Sequence, residues 1–157
     1  MIKIMYICTG NICRSAMAHA MMKEEIKNRG LQDKIEVYSC GTFAEDGDYA
    51  SYNAIETMEY YGIDLKLHRA TNIRNSKIEE MDIILCATQE HKRFVINLYP
   101  KLKEKVFTMK EYSKSGKDEN DLDIKDPWGY GMATFLECAK EIDLSIQKML
   151  INFPNWS

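Results

Sequence analysis

A chain of 157 residues with 45% apolar side chains is long enough to bury a core, and its 29% of charged residues is ordinary for a soluble globule. A net charge of −3 argues against a nucleic-acid partner, and no apolar run approaches the roughly 20 residues that a membrane span needs. Lys3 interrupts the N-terminal apolar stretch, so no signal peptide is expected, and five cysteines without small-domain spacing point to free thiols in a reducing, cytoplasmic setting. One domain over residues 1–157 is expected.

Strand and helix patterns alternate along the chain. Ile2 to Ile7 reads as a buried strand that stops at Cys8. Thr9-Gly10-Asn11 is turn chemistry, with Gly10 and Asn11 both tolerant of positive φ. Arg14 and Ser15 then open a helical run that ends at Gly30. Ile35 to Ser39 is a second strand, leading into Cys40-Gly41-Thr42, and after a polar loop a helix is expected from Tyr49 to Tyr61, closed by Gly62. Ile83 to Cys86 is a third strand, Glu90 to Leu98 a helix, and Val106 to Met109 a fourth strand. A long polar loop, Lys110 to Lys125, precedes Asp126-Pro127-Trp128-Gly129. In the last helix Met132, Phe135, Leu136, Ala139, Ile142, Ile146, Met149, Leu150 and Phe153 recur at steps of three and four. Such alternation predicts an α/β fold in three layers, with a central twisted sheet of four parallel strands and helices on both faces. Ligands bind beyond the carboxyl ends of strands in such sheets, which is where Cys8 falls.

Cys8, five intervening residues and Arg14 suit attack on a phosphate ester. The thiolate is the nucleophilic form of cysteine, and inward backbone N–H groups, a helix N-terminus and a guanidinium all stabilise it. Arg14 offers a planar fork that fits two phosphoryl oxygens, and Ser15 is placed both to hydrogen-bond the sulfur and to cap the helix. The plain alternative is a buried strand-end thiol with a surface arginine, but Gly10, Asn11, Arg14 and Ser15 all fall where an anion loop requires them. Zinc is discounted, because Cys8 and Cys13 lack a second ligand pair and His19, His68 and His91 are scattered. No metal and no cofactor is called for. A proton donor for the leaving oxygen is still needed, and Asp126 is the candidate, since Pro127 biases it toward an extended conformation. Asp-Pro also simply initiates turns, and Asp118, Glu119, Asp121 and Asp123 are rival acids read as a solvated surface.

Cys8-Thr9-Gly10-Asn11-Ile12-Cys13-Arg14-Ser15 near the N-terminus, with Asp126-Pro127-Trp128 late in the chain, resembles the low-molecular-weight protein tyrosine phosphatases. The resemblance spans nearly the whole chain and includes Ser39-x-Gly41-Thr42 and His68-Arg69-Ala70. It implies a flavodoxin- or Rossmann-like sheet with a phosphate loop, residues 9–15, after the first strand. It implies Cys8 as nucleophile, Arg14 as phosphate and transition-state binder, and Asp126 as general acid and base. Asn11, Ser15, Ser39 and His68 match a hydrogen-bond network that stiffens the loop. Cys13 matches a second loop cysteine that can form a disulfide with the nucleophile. Ile12, Phe43, Tyr49, Trp128 and Tyr130 would wall the substrate pocket, with phosphotyrosine-containing proteins as partners and inorganic phosphate or other oxyanions as competing ligands. Ala16, His19, Thr88, Trp128 and Gly129 depart from the family pattern.

Three other readings share features with this one. Arsenate reductases of the same fold need redox cysteines beyond the third strand, and Cys86 has no partner within the next few residues. Protein-arginine phosphatases typically carry threonine at the position of Ile12, where the bulkier apolar side chain favours an aryl phosphate. A non-catalytic phosphopeptide-binding module would lack the nucleophile or the acid.

Overall fold

The computed structural model describes residues 1–156. Its sheet has four parallel strands in the order β2-β1-β3-β4: β1 (Ile2–Cys8), β2 (Ile35–Gly41), β3 (Ile83–Cys86) and β4 (Val106–Thr108). The helices are α1 (Arg14–Asn28), α2 (Tyr52–Tyr60), α3 (Gln89–Leu98), α4 (Met109–Ser113) and α5 (Met132–Ile151).

β1 is central, and its period of two divides it between two cores. Ile4, Tyr6 and Cys8 pack with Met17 and Met21 of α1 and with Phe135, Ile142 and Ile146 of α5. Met5 and Ile7 face the other way, toward Val95 of α3 and toward Ile73, Ile78 and Leu102 from short 3₁₀ turns. Burial on both faces is why this strand reads as a continuous apolar run. The strand register places Cys8 opposite Gly41 and Ile7 opposite Cys86, so three strand ends meet on one rim of the sheet.

α1 ends as its sequence predicts, with Gly30 at φ +66° just beyond the cap at Arg29. Several boundaries differ from expectation: Met109, read as strand, opens α4, Phe153 lies beyond the end of α5, and two further differences bear on the site. The second helix begins at Tyr52 rather than Tyr49, because the Ser51 hydroxyl accepts the Ala54 N–H as its cap and Tyr49 bridges to Arg69 instead. The stretch read as a loop from Lys110 opens with α4, whose five residues are too few to show a helical period. There the Thr108 side chain accepts the Glu111 N–H and the Glu111 carboxylate accepts the Thr108 N–H. Among the described residues, no helix is long and apolar enough to cross a membrane.

Candidate active site

The segment between Cys8 and Arg14 is held from outside by its carbonyls. Cys8 O accepts from Thr42 N at 2.9 Å, Thr9 O from Phe43 N at 2.9 Å and Ile12 O from Ser51 N at 2.9 Å. Asn11 O accepts from His68 Nε2 at 2.6 Å. In a trans peptide plane the next residue's N–H points opposite to the carbonyl. The N–H groups of Thr9, Gly10, Ile12 and Cys13 are therefore turned into the ring that the segment encloses. Asn11 sits at φ +56°, in the left-handed region its short polar side chain tolerates. That side chain is buried, donating to Ser15 Oγ at 2.8 Å and accepting from Thr71 N at 3.0 Å. Gly10, expected to share the left-handed turn, has no positive φ.

The space glycine leaves matters instead at Gly41. A Cβ there would lie inside van der Waals contact of Thr9 O and 2.9 Å from both Asn11 N and Ala44 Cβ. The end of β2 therefore lies directly against the loop backbone, an approach only glycine permits.

Inside the ring, Cys8 Sγ stands 3.0 Å from Ser15 Oγ and accepts the Ser15 N–H at 3.4 Å. Ser15 lies within α1, which starts at Arg14, so it does not cap the helix as expected; the cap position falls on Cys13, without a side-chain bond. Its hydroxyl is spent on the sulfur and on Asn11. Cys13 Sγ lies 3.2 Å from Ser51 Oγ, and burial pushes its thiol up to about 11. All five cysteines are free.

Arg14 is 4% exposed, a costly placement for a guanidinium unless its donors are used. Nη1 donates to Ile124 O at 2.9 Å, Nη2 lies 3.7 Å from Asp126 Oδ2, and Nε is buried with no partner among the described residues. Nε and Nη2 form one edge of the fork, and that edge suits two oxygens of a tetrahedral anion. Asp126 is half exposed, its Oδ1 accepting the Trp128 N–H at 3.1 Å. Tyr130 N closes a turn onto Pro127 O at 3.0 Å with Gly129 at φ +85°, the type II requirement at the third position. The turn leaves Trp128 62% exposed beside the site.

A cavity of about 210 Å³ is lined by Cys8, Thr9, Gly10, Ile12, Cys13, Arg14, Asp126 and Trp128. The structure thus brings together the thiol, the arginine, the carboxylate and two of the five expected wall residues. The other three lie elsewhere. Phe43 packs on Phe94 with ring centroids 5.3 Å apart and lines an adjoining cavity of about 360 Å³ across Arg14. The Arg69 guanidinium covers the Tyr49 ring at 3.7 Å, and Lys125 Nζ sits 4.2 Å over the Tyr130 ring.

Of the expected loop supports, Asn11, Ser15 and His68 touch the loop directly. Ser39 does not: its Oγ lies 2.8 Å from His19 Nδ1, and the His19 ring meets His68 edge-on with centroids 6.5 Å apart. His19 therefore connects Ser39 to the loop support. His91 is a support that sequence reasoning missed altogether. Its Nε2 is 2.8 Å from Thr9 Oγ1, while Nδ1 faces Thr88 at the start of α3. A histidine three residues after a capping threonine is the only signal the sequence offers for it. Among the described residues, no three His, Cys, Asp or Glu side chains group so as to hold a metal ion.

Residues 3–154 match the family model for low molecular weight phosphotyrosine protein phosphatase. The chain is 33% identical to a protein-arginine-phosphatase of Geobacillus stearothermophilus, over 94% of this chain and 93% of that one. It is 31% identical to a probable low molecular weight protein-tyrosine-phosphatase of Ralstonia nicotianae, over 91% and 90%. Its fold superposes on the low molecular weight protein tyrosine phosphatase from T. tengcongensis with a TM-score of 0.86 at 31% identity, covering 98% of this chain and 100% of that one. Extending over nearly its full length, these matches establish that the chain belongs to the low-molecular-weight phosphotyrosine protein phosphatase family.

Proposed function

We propose that this phosphatase hydrolyses phosphotyrosine in proteins and small aryl phosphates through a cysteinyl-phosphate at Cys8. The observation that carries this reading is that Arg14 and Cys8 line one cavity while Arg14 Nε, on the same edge as Nη2, is buried with no partner among the described residues. A phosphoryl group would accept from that edge and from the inward N–H groups while the sulfur attacks phosphorus. An S–P bond forms, the P–O ester bond breaks, and the Asp126 carboxyl gives its proton to the departing phenolate oxygen. Water then attacks the phosphocysteine, passes a proton to the Asp126 carboxylate, and the S–P bond breaks to release inorganic phosphate. Charge on the equatorial oxygens in both steps meets the same fixed donors.

The aryl preference rests on Ile12 and Trp128, apolar side chains lining the same cavity as the thiol. A flat ring fits between them, with Trp128 offering a stacking face. The Geobacillus relative is named for phosphoarginine, so phosphoarginine peptide is the competing substrate.

The test is steady-state hydrolysis of an aryl phosphate, a phosphotyrosine peptide and a phosphoarginine peptide by wild type, Cys8→Ser and Asp126→Ala. Cys8→Ser should abolish turnover yet still bind phosphate. Asp126→Ala should slow a poor leaving group by on the order of 10²–10⁴ and a good one by less. Equal rates for wild type and Asp126→Ala overturn the acid assignment. Faster turnover of phosphoarginine than of phosphotyrosine overturns the aryl preference.

A further inference from the structure

His91 is 6% exposed and belongs to α3, outside the loop and outside the acid segment, yet it touches both neighbourhoods. Its ring proton is located by its partners. The Thr88 backbone N–H donates to Nδ1 at 3.2 Å, so Nδ1 is the acceptor and the proton sits on Nε2. Nε2–H therefore donates to Thr9 Oγ1 at 2.8 Å. Burial, and next the Arg14 charge, push the ring down to about 4, which keeps it in this neutral form. Thr9 follows the nucleophile in sequence and lines the cavity that holds Cys8 and Arg14. With its oxygen already accepting from the imidazole, the Thr9 hydroxyl has its hydrogen left to give.

The same helix start holds the acid segment. Gln89 N donates to Asp123 Oδ1 at 2.8 Å and Ile124 N to Ala87 O at 2.9 Å, three and two residues before Asp126. Thr88 accepts the His91 N–H at 3.2 Å and so caps this helix.

We propose that His91 is a positioning residue: by donating to Thr9 Oγ1 it turns the Thr9 hydroxyl hydrogen toward a non-bridging oxygen of the bound phosphoryl group, in register with the segment that carries Asp126. The inference rests on the phosphatase reading above and assigns a specific role to a side chain outside the loop.

Two amide replacements separate this role from simple capping. In His91→Asn the side-chain oxygen falls near the Nδ1 position, retaining the Thr88 contact and losing Thr9. In His91→Gln the side-chain N–H falls near the Nε2 position, retaining Thr9 and losing the cap. With an aryl phosphate as substrate, His91→Asn should lower kcat/KM by on the order of tenfold, the effect of one misdirected hydrogen bond, with Tm near wild type. His91→Gln should lose more Tm and less activity than His91→Asn. Thr9→Val should show a similar tenfold drop, and adding His91→Asn to Thr9→Val should cost no more than about twofold further. Wild-type activity in His91→Asn or in Thr9→Val overturns the proposal, as does a full tenfold additional loss in the double variant. Should His91→Asn fail to fold, Thr9→Val and His91→Gln decide alone. An inactive wild type would instead reject the phosphatase reading.

Discussion

At the scale of single residues, the loop works because each polar side chain has one assignment. Asn11 holds the left-handed turn, Ser15 faces the sulfur, and Arg14 leaves Nε without a partner among the described residues. The residue types alone made Cys8, Arg14 and Asn11 legible, since few other roles suit them at that spacing. They did not show which glycine is indispensable. Gly10 looked tolerant of the turn, while Gly41, thirty-one residues on, is the one whose Cβ would strike the loop. Cys13 also acts at this scale. Its thiol is raised and paired with Ser51, which disfavours its own reaction with peroxide. The proposed sequence is oxidation of the Cys8 thiolate to a sulfenic acid as peroxide is reduced to water. Cys13 Sγ then attacks that sulfur, forming the S–S bond and expelling a second water. Mild peroxide should give a Cys8–Cys13 disulfide detectable by mass and fully reversed by thiol. In Cys13→Ser the same dose should inactivate irreversibly, and equal recovery of both proteins would refute the protective role.

At the scale of elements, strands and long helices were readable because their periods repeat, and the short elements were not. α4 escaped notice for that reason, although it anchors the acid segment. Its Lys110 is 4% exposed and reaches Asp121 at 2.9 Å and Glu141 at 2.6 Å, tying the long loop to α5. Asp121, read as surface solvation, is part of this clamp and also accepts the Lys117 N–H at 2.9 Å. Lys110→Met keeps much of the stem volume but leaves two carboxylates facing each other without a cation. It should lower Tm by on the order of 5 °C and speed proteolytic nicking between residues 114 and 122. An unchanged cleavage pattern would show that the loop is held by its backbone alone.

At the scale of the whole molecule, three histidines scattered in sequence become neutral struts of one rim. Burial pushes His19 and His91 down to about 4 and also lowers His68. In the unfolded chain histidine titrates near ~6.5. Between about pH 6.5 and 4 the unfolded state therefore binds more protons than the native one, and native stability falls as pH falls through that window. Urea midpoints should drop from pH 7.5 to pH 5 and then flatten below about pH 4 as far as these rings are concerned. His19→Gln should reduce the slope, and an unaltered slope would assign the acid sensitivity to other groups. No periodicity announces such convergence, because only the closed sheet brings residues 19, 39, 68 and 91 near the loop. The central place of β1 has a consequence for how the chain is made. Its partners lie at Ile35 on one side and Ile83 on the other, and the Arg14 guanidinium waits for Ile124. A nascent chain leaving the ribosome thus carries Cys8 ahead of the partners that surround it and cannot complete those surroundings until Ile124 has emerged. On the proposed mechanism, a chain shorter than that would lack the buried arginine's anchor and so should not turn over phosphate esters.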